Sequence, residues 1–333
     1  MSTGRLVAVS VLLLNAFVCL PAFAAGGAGE TYADPAKVDA DYAVQGEYSG
    51  EITREGQKAK AGVQVIALGA GKFKAVLHPG GLPGDGWEKA KGREEVDGAT
   101  ADGVTTFTHA NWVARIKDGT LTLAASGGTN ELGQLKRIVR ESPTLGMKPP
   151  AGAVVLFDGT SLDAFQKGAR MTEDKLLMQG ANSAQKFGSC TLHVEFRTPY
   201  QPGARGQGRG NSGVYLQSRY ECQVLDSFGL AGKNNETGGV YSIKDPDLNM
   251  CLPPLQWQTY DIDFTAAEYA DGKKVKNARL TVKLNGVVVQ NDIEVPKITT
   301  SAPLQETPQP GPLHLQDHGN PVRYRNIWLV EKK

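Results

Sequence analysis

Short stretches of alternating apolar and polar residues, bounded by turn residues, run through most of this 333-residue sequence. Residues 279–284 alternate Leu or Val with polar residues, which puts the apolar side chains on one face of a β-strand. Asn285-Gly286 then leads into residues 287–289, the signature of a two-residue hairpin. With 40 glycines and 18 prolines to supply turns, the sequence predicts an all-β chain. Comparable strand patterns lie at residues 191–197, 220–225, 260–264, 313–318 and 324–330.

These strand patterns divide the chain into two predicted domains. Short β-like runs within residues 42–140 indicate a small β-rich domain, with a hairpin across Asp118-Gly119. The sequence does not indicate its role. Residues 141–152 contain three prolines and no periodicity, which predicts a linker. The remaining strands, in residues 153–333, are numerous enough for a sandwich or an open barrel.

The N-terminus resembles a Sec-type secretory signal peptide over residues 1–25. A short apolar run precedes the small-x-small site Ala22-Phe23-Ala24, so we expect cleavage near Ala24-Ala25. Lipoprotein anchoring at Cys19 is disfavoured, because the residues before it match a lipidation site poorly. Residues 26–41 are interpreted as a flexible lead-in, and no later segment is apolar enough for a transmembrane helix. We therefore expect a secreted or periplasmic protein.

Charge and cysteine content each argue against a class of protein. The 36 basic and 35 acidic residues nearly cancel, which argues against a nucleic-acid partner. After signal removal three cysteines remain: Cys190, Cys222 and Cys251. Two alternatives are open, one disulfide with a spare thiol or three buried thiols. No CxxC spacing occurs, and a zinc site is not indicated.

The polar strand faces of residues 153–333 are unusual in composition. They carry His, Glu, Gln and Asp more than the Lys, Thr and Ser of an ordinary solvated sheet. Glu221 and Gln223 share one such face, and His193 and Glu195 share another. A concave sheet lined by these groups suits a polyhydroxylated ligand, which indicates a carbohydrate-directed domain.

Seven segments in a fixed order carry a resemblance to a known family. They are VLFDG at 155–159 with Leu162, NSGVYL at 211–216, YECQVLDS at 220–227, GGVY at 238–241, WQTY at 257–260, LNG at 284–286, and LQDHGNPV at 315–322 running into YRNI at 324–327. With these segments, about residues 153–331 resemble the 3-keto-disaccharide hydrolase domain family. The resemblance implies a concanavalin-A-like jelly-roll sandwich that cleaves glycosides oxidised at C3, by a 1,2-lyase reaction followed by hydration. Thr237 stands where a cysteine partner for Cys251 is expected, which puts a family disulfide in doubt.

The activity implied by this resemblance needs a base, a donor for an enolate oxygen and an acid. A ketone at C3 acidifies the C2 proton, and loss of that proton allows the C1 substituent to leave by β-elimination. We assign Glu221 as the base. His318, in a turn after a strand, could serve as acid, base or metal ligand. Arg325 offers paired donors for the enolate or keto oxygen, or else forms a salt bridge to Glu221 or Asp226.

Further polar residues are interpreted as a substrate-binding set. His193 and Glu195 could instead ligate a metal or lie exposed to water. The sequence indicates no firm cofactor and leaves a divalent cation open. The expected partners are an oligosaccharide or glycoside substrate and an upstream oxidoreductase that makes the 3-keto sugar. The set comprises Asn211, Gln223, Asp226, Tyr241, Gln316, Glu195 and His193.

Two other functions compete with the enzyme. One is a non-catalytic carbohydrate-binding module of the cell envelope that uses the same concave face. The other is a structural envelope protein anchored by the N-terminal domain. The density of ionisable groups near Glu221, His318 and Arg325 favours the enzyme, because binding modules rely mostly on aromatic and amide side chains.

Overall fold

The structure is a computed structural model that describes residues 29–332 except 55 and 128. The predicted signal peptide, its cleavage site and Cys19 lie outside the described residues. Within them the helices are α1 (Asp41–Val44) and single 3₁₀ turns at Pro35–Lys37, Lys89–Lys91 and Gly206–Gly208. No helix in this part of the chain has the length and apolar character to cross a bilayer.

Strands account for most of the remaining regular structure. Those of the N-terminal part are β1 (Gly46–Arg54), β2 (Gln57–Gly69), β3 (Lys72–Pro79), β4 (Leu82–Pro83), β5 (Gly86–Trp87), β6 (Glu94–Ala101), β7 (Val104–Thr108), β8 (Trp112–Lys117), β9 (Thr120–Ala125) and β10 (Glu131–Ile138). Those of the C-terminal part are β11 (Val154–Phe157), β12 (Leu177–Met178), β13 (Ala181–Phe187), β14 (Cys190–Arg197), β15 (Ser212–Leu216), β16 (Tyr220–Val224), β17 (Gln258–Thr265), β18 (Glu268–Ala270), β19 (Lys273–Lys276), β20 (Ala278–Leu284), β21 (Val287–Val295), β22 (Gly311–Leu315) and β23 (Arg323–Glu331).

The N-terminal part is a closed antiparallel barrel of eight strands. Successive strands are neighbours, apart from the short parallel pair β4–β5, and β10 pairs with β1 to close the barrel. At the β8–β9 hairpin, Asp118 and Gly119 both have positive φ, as a type I′ turn requires. Tyr48, Phe73 and Phe107 are fully buried, because an eight-stranded barrel has an interior that side chains can fill.

The C-terminal part consists of two antiparallel sheets packed face to face. The larger sheet has the order β11-β23-β14-β17-β20-β21, with β12 beside β23, and the smaller has the order β13-β22-β15-β16. Inward-facing residues of both sheets, such as Val194, Ile262 and Val214, form one hydrophobic core. The predicted fold class is confirmed: the chain is all-β, a jelly-roll sandwich preceded by a smaller β-rich domain.

The barrel packs against the sandwich. Ile66 and Val76, on its outer surface, form a buried cluster with Phe228 and Cys251 of the sandwich. The described part of the predicted lead-in, residues 29–41, also contacts the sandwich, since Tyr32 pairs through its backbone with Tyr200.

Residues 141–152, predicted as a linker, cross the outer face of the larger sheet. The Ser142 hydroxyl lies 2.6 Å from that of Thr259, and the Gly146 N–H donates to Glu195 at 2.6 Å. The linker therefore covers buried polar groups of the sheet.

The three cysteines of the described chain are buried, free thiols. Burial raises the pKa of the Cys190 and Cys251 thiols to about 12, which leaves them protonated and unreactive at neutral pH. Thr237, at the position expected for a cysteine, donates its hydroxyl to the Leu225 carbonyl at 2.5 Å. The buried-thiol alternative is the one that the structure adopts.

Candidate active site

A polar cavity lies on the outer face of the smaller sheet. In the β15–β16 hairpin, Val214 and Cys222 point into the core, so the residues that alternate with them point outward. The register pairs Tyr215 with Glu221, and the next outward pair along the hairpin is Gly213 with Gln223. The cavity has a volume of about 170 Å³ and is lined by Gln207, Asn211, Tyr215, Glu221, Gln223, Tyr241, Thr300, Ser301, Gln316 and His318.

Glu221 is the buried carboxyl group of this cavity, with 2% of its surface exposed. Burial disfavours the carboxylate and raises the pKa of Glu221 to about 8, although interaction with the Tyr215 hydroxyl opposes the shift. At neutral pH the group can therefore exchange a proton with a ligand in either direction.

Gly213 provides the space for the Glu221 side chain. A Cβ atom on Gly213 would overlap Oε1 of Glu221 and lie 2.8 Å from Cε2 of Tyr215. Gly213 is not among the residues with positive φ, so its strand conformation would suit any residue. Glycine is needed here for space rather than for backbone freedom.

Amide side chains line the cavity beside Glu221. Gln207 accepts hydrogen bonds from Gln223 Nε2 through its side-chain oxygen, at 3.1 Å, and from Asn211 Nδ2 through its carbonyl, at 2.8 Å. Asn211 is 2% exposed, and its Oδ1 atom has no hydrogen-bond partner among the described residues. An unpaired buried acceptor costs free energy, and a ligand hydroxyl would satisfy it.

The segment after β22 and residue 241 line the cavity on the two flanks of the hairpin. Gln316 is fixed by its backbone N–H to the Gly213 carbonyl, at 2.9 Å, and its Nε2 donates to the Tyr215 hydroxyl at 3.2 Å. The Tyr241 N–H donates to the Glu221 carbonyl at 3.2 Å. His318 lies exposed at the rim, where it can reach a group that extends out of the cavity.

Residues 152–330 match the family of 3-keto-alpha-glucoside-1,2-lyase-like domains. The chain belongs to this family. The match spans more than half of the chain, includes every residue that lines the cavity, and confirms the resemblance seen in the sequence. Membership identifies the lyase-like domain as a carbohydrate-active one. Among curated proteins, none matches the sequence.

Solved structures resemble the lyase-like domain as well. A crystal structure titled as that of a "putative glycosyl hydrolase" from Parabacteroides distasonis ATCC 8503 is 32% identical, with a TM-score of 0.50. The alignment covers 55% of this chain and 85% of that chain. A second structure with the same description and source is 17% identical, with a TM-score of 0.40 and coverage of 55% of this chain and 95% of that chain.

Three of the predicted site residues, Arg325, Glu195 and His193, lie away from this cavity. They occupy the outer face of the larger sheet, on the opposite side of the lyase-like domain. The Arg325 Nε atom donates to Glu195 Oε2 at 2.7 Å, so the partner of Arg325 is neither Glu221 nor Asp226. Arg325 is therefore not placed to bind an enolate oxygen formed beside Glu221.

His193 and Glu195 belong to a buried charge network beneath the linker. Burial opposes ionisation of Glu195, but the nearby His193 and hydrogen bonds from Asn326, Arg325 and Gly146 outweigh it and lower the pKa of Glu195 to about 2. Burial likewise opposes the charged form of His193, whereas a hydrogen bond to Asp261, at 2.6 Å, and the Glu195 carboxylate, 3.6 Å away, raise its pKa. Glu195 binds the linker through Gly146, His193 binds Asp261, and neither side chain lies exposed to water as one interpretation of the sequence held.

Asp226 also lies outside the cavity. It accepts a hydrogen bond from Arg209 Nε at 2.7 Å, and both side chains are buried. Arg209 Nη1 donates in turn to the Ala67 carbonyl of the barrel at 3.2 Å. Asp226 thus connects the lyase-like domain to the barrel.

Four further residues line the cavity that were not predicted from the sequence: Gln207, Tyr215, Thr300 and Ser301. Tyr215 could have been found, because the hairpin register places it directly opposite Glu221. Thr300 and Ser301 come from an irregular connection between β21 and β22, where no periodicity marks the position of a side chain.

The sequence left metal ligation open at His318 and at the pair His193 and Glu195. Across the described chain, no three His, Cys, Asp or Glu side chains are grouped so that they could hold a metal ion. Within the cavity, Glu221 and His318 are the residues of these types.

Proposed function

We propose that the Glu221 cavity cleaves 3-keto-glycosides by elimination. The Glu221 carboxylate takes the proton from C2, and the C–H electron pair forms an enolate with the C3 ketone. The enolate re-forms the ketone, makes a C1=C2 double bond and expels the C1 oxygen with its substituent. Water then adds across the double bond, placing hydroxyl on C1 and a proton on C2.

The burial of the Glu221 carboxyl group in this cavity is the observation that carries the proposal, because burial raises the pKa of Glu221 to about 8. A carboxylate with a pKa near 4.3 is a weak base, whereas one titrating near the working pH transfers protons efficiently. Glu221 also lies inside a domain that belongs to a 1,2-lyase-like family.

The composition of the cavity supports elimination over ordinary glycoside hydrolysis. Among the described residues that line it, Glu221 is the sole carboxylate. Ordinary glycosidases use two carboxyl groups about 5–10 Å apart. Elimination beside a ketone needs one base, which this cavity has.

The neighbouring side chains can supply the remaining functions. Burial raises the pKa of Tyr215, so its hydroxyl keeps its proton and can donate to the enolate oxygen in place of Arg325. His318 at the rim can protonate the leaving oxygen. Asn211 and Gln223 can hydrogen-bond sugar hydroxyls.

The test uses purified protein with 4-nitrophenyl 3-keto-glucoside, and unoxidised 4-nitrophenyl glucoside as the control substrate. We expect 4-nitrophenol release from the 3-keto compound alone, and a slower reaction when C2 carries deuterium. Glu221→Gln should abolish release while substrate still binds. Equal cleavage of both substrates, or full activity in Glu221→Gln, would contradict the proposal.

The amide lining favours a second candidate, a non-catalytic carbohydrate-binding module. Asn211, Gln207, Gln223 and Gln316 are groups that such a module would use. This function would be supported if the 3-keto-glucoside bound, remained intact and lost no C2 deuterium to solvent.

We also propose that the reaction takes place outside the cytoplasm, on the basis of the signal-like residues 1–25. The substrate requires an oxidoreductase that converts the C3 hydroxyl of a glycoside to a ketone. N-terminal sequencing of the protein from the extracellular or periplasmic fraction should begin near Ala25. A cytoplasmic protein that still begins at Met1 would contradict this location.

A further inference from the structure

Three arginines are grouped on the outer face of the larger sheet, away from the Glu221 cavity. Arg197 on β14 pairs directly with Arg323 on β23, and Arg325 follows two residues later on the same strand face. The guanidinium carbons of Arg197 and Arg325 lie 5.0 and 4.0 Å from the centre of the Trp257 ring. One aromatic ring therefore holds two like charges close together.

This cluster has more positive charge than its ion pairs neutralise. Arg325 is paired with Glu195 at 2.7 Å. In the described chain, Arg197 and Arg323 have no carboxylate at ion-pair distance; they donate to neutral oxygens, the Ala33 carbonyl and Gln179 Oε1, each at 3.0 Å. Both arginines are partly exposed, so a ligand can reach the N–H groups that remain.

The nearby acidic residues act on this charge only from a distance. Asp174 and Asp34 act on Arg197 from beyond ion-pair distance, and Asp34 is itself paired with Lys37 at 3.5 Å. Burial, together with a neighbouring arginine, lowers the pKa of both Arg197 and Arg323. An anion bound between them would relieve this mutual repulsion.

We propose that Arg197 and Arg323 bind an anionic oxygen group, a carboxylate, sulfate or phosphate, carried by an acidic saccharide. Planar guanidinium groups donate paired hydrogen bonds to such groups. The carbohydrate-active character of the lyase-like domain favours a saccharide over a free inorganic anion as the source. Because the cluster is on the opposite side of the sandwich from Glu221, the site is separate from the proposed catalytic cavity.

The test is calorimetric titration of the full mature chain with a glucuronate-containing tetrasaccharide, with its uncharged methyl ester and with sodium sulfate. We expect the acidic tetrasaccharide to bind, the ester to bind at least tenfold more weakly, and added salt to weaken binding. Arg323→Gln should lower the affinity about tenfold. Arg279→Gln is the matched control, because Arg279 is an exposed arginine of the same sheet that is paired with Asp292 at 2.7 Å.

Several outcomes would overturn this site. Equal affinity of Arg323→Gln and Arg279→Gln for the acidic tetrasaccharide would show that the arginine pair does not bind this ligand. A failure of the tetrasaccharide to bind the wild-type protein would show the same. Sulfate binding as tightly as the tetrasaccharide would leave a free anion rather than a saccharide as the ligand. Loss of binding in Glu221→Gln, with retention in Arg323→Gln, would place the acidic ligand in the catalytic cavity. If Arg323→Gln fails to fold, Arg323→Lys keeps the charge without the paired donors, and unchanged affinity in that variant would contradict the proposal.

Discussion

A Cβ atom on Gly213 would overlap Oε1 of Glu221, so the carboxylate can occupy its position only because residue 213 has no side chain. The two residues lie on adjacent strands of one hairpin, and Tyr215 closes the same space from the side. The shape of the proposed active site therefore depends on a glycine that takes part in no chemistry.

Gly213→Ala should displace Glu221 and lower kcat at least tenfold on a 3-keto-glucoside. The matched control is Gly188→Ala, because a Cβ there meets no atom within 4 Å and its backbone needs no positive φ. Initial rates and thermal unfolding of both variants would test this. Full activity in Gly213→Ala would show that Glu221 is free to move without loss of function.

The pKa of Glu221 predicts how activity depends on pH. If Glu221 is the base, kcat/KM should rise with pH and level off above about 8, the pKa of the buried carboxyl group. Any activity left in Glu221→Gln should lack this dependence on pH. A profile that is flat between pH 6 and 9 would exclude Glu221 as the base.

The same shift predicts how stability depends on pH. The pKa of Glu221 is raised to about 8 in the folded protein, against about 4.3 in an unfolded chain, so the unfolded state loses this proton first. The contribution of Glu221 to the free energy of unfolding is fully present below about pH 4. It falls by up to about 1.4 kcal/mol per pH unit until pH 8. Glu221→Gln should therefore gain stability relative to wild type between pH 5 and 8, as denaturant titrations at several pH values would measure.

The effect of replacing His318 on the cleavage rate should depend on the leaving group. His318→Gln should slow cleavage of an alkyl 3-keto-glucoside by about 100-fold, because a poor leaving oxygen needs a proton. Release of 4-nitrophenol, a good leaving group, should change little. Equal effects on both substrates would assign His318 to binding rather than to protonation.

The ion pair of Arg209 and Asp226 should contribute strongly to stability. Asp226→Asn leaves a buried guanidinium without its charge partner, which costs about 3–5 kcal/mol. Asp292→Asn is the control, since it breaks an exposed pair with Arg279 and should cost at most about 1 kcal/mol. Equilibrium unfolding in urea distinguishes the two, and similar midpoints for both variants would contradict this account.

Local patterns along the chain were enough to predict many of the strands, the hairpins across Asp118-Gly119 and Asn285-Gly286, and the all-β fold class. Strands without clear alternation, such as β6, β10 and β13, were not predicted. Alternation also indicated that Glu221 and Gln223 face away from the core, because side chains of a strand alternate with period two. Only the tertiary structure decided which polar faces meet. Both sheets of a sandwich have a polar outer face, so alternation could not assign Arg325 and Glu195 to one sheet and Glu221 to the other. The pairing of Arg325 with Glu195, and of Asp226 with Arg209, depends on contacts between residues far apart in the sequence, which no local pattern specifies.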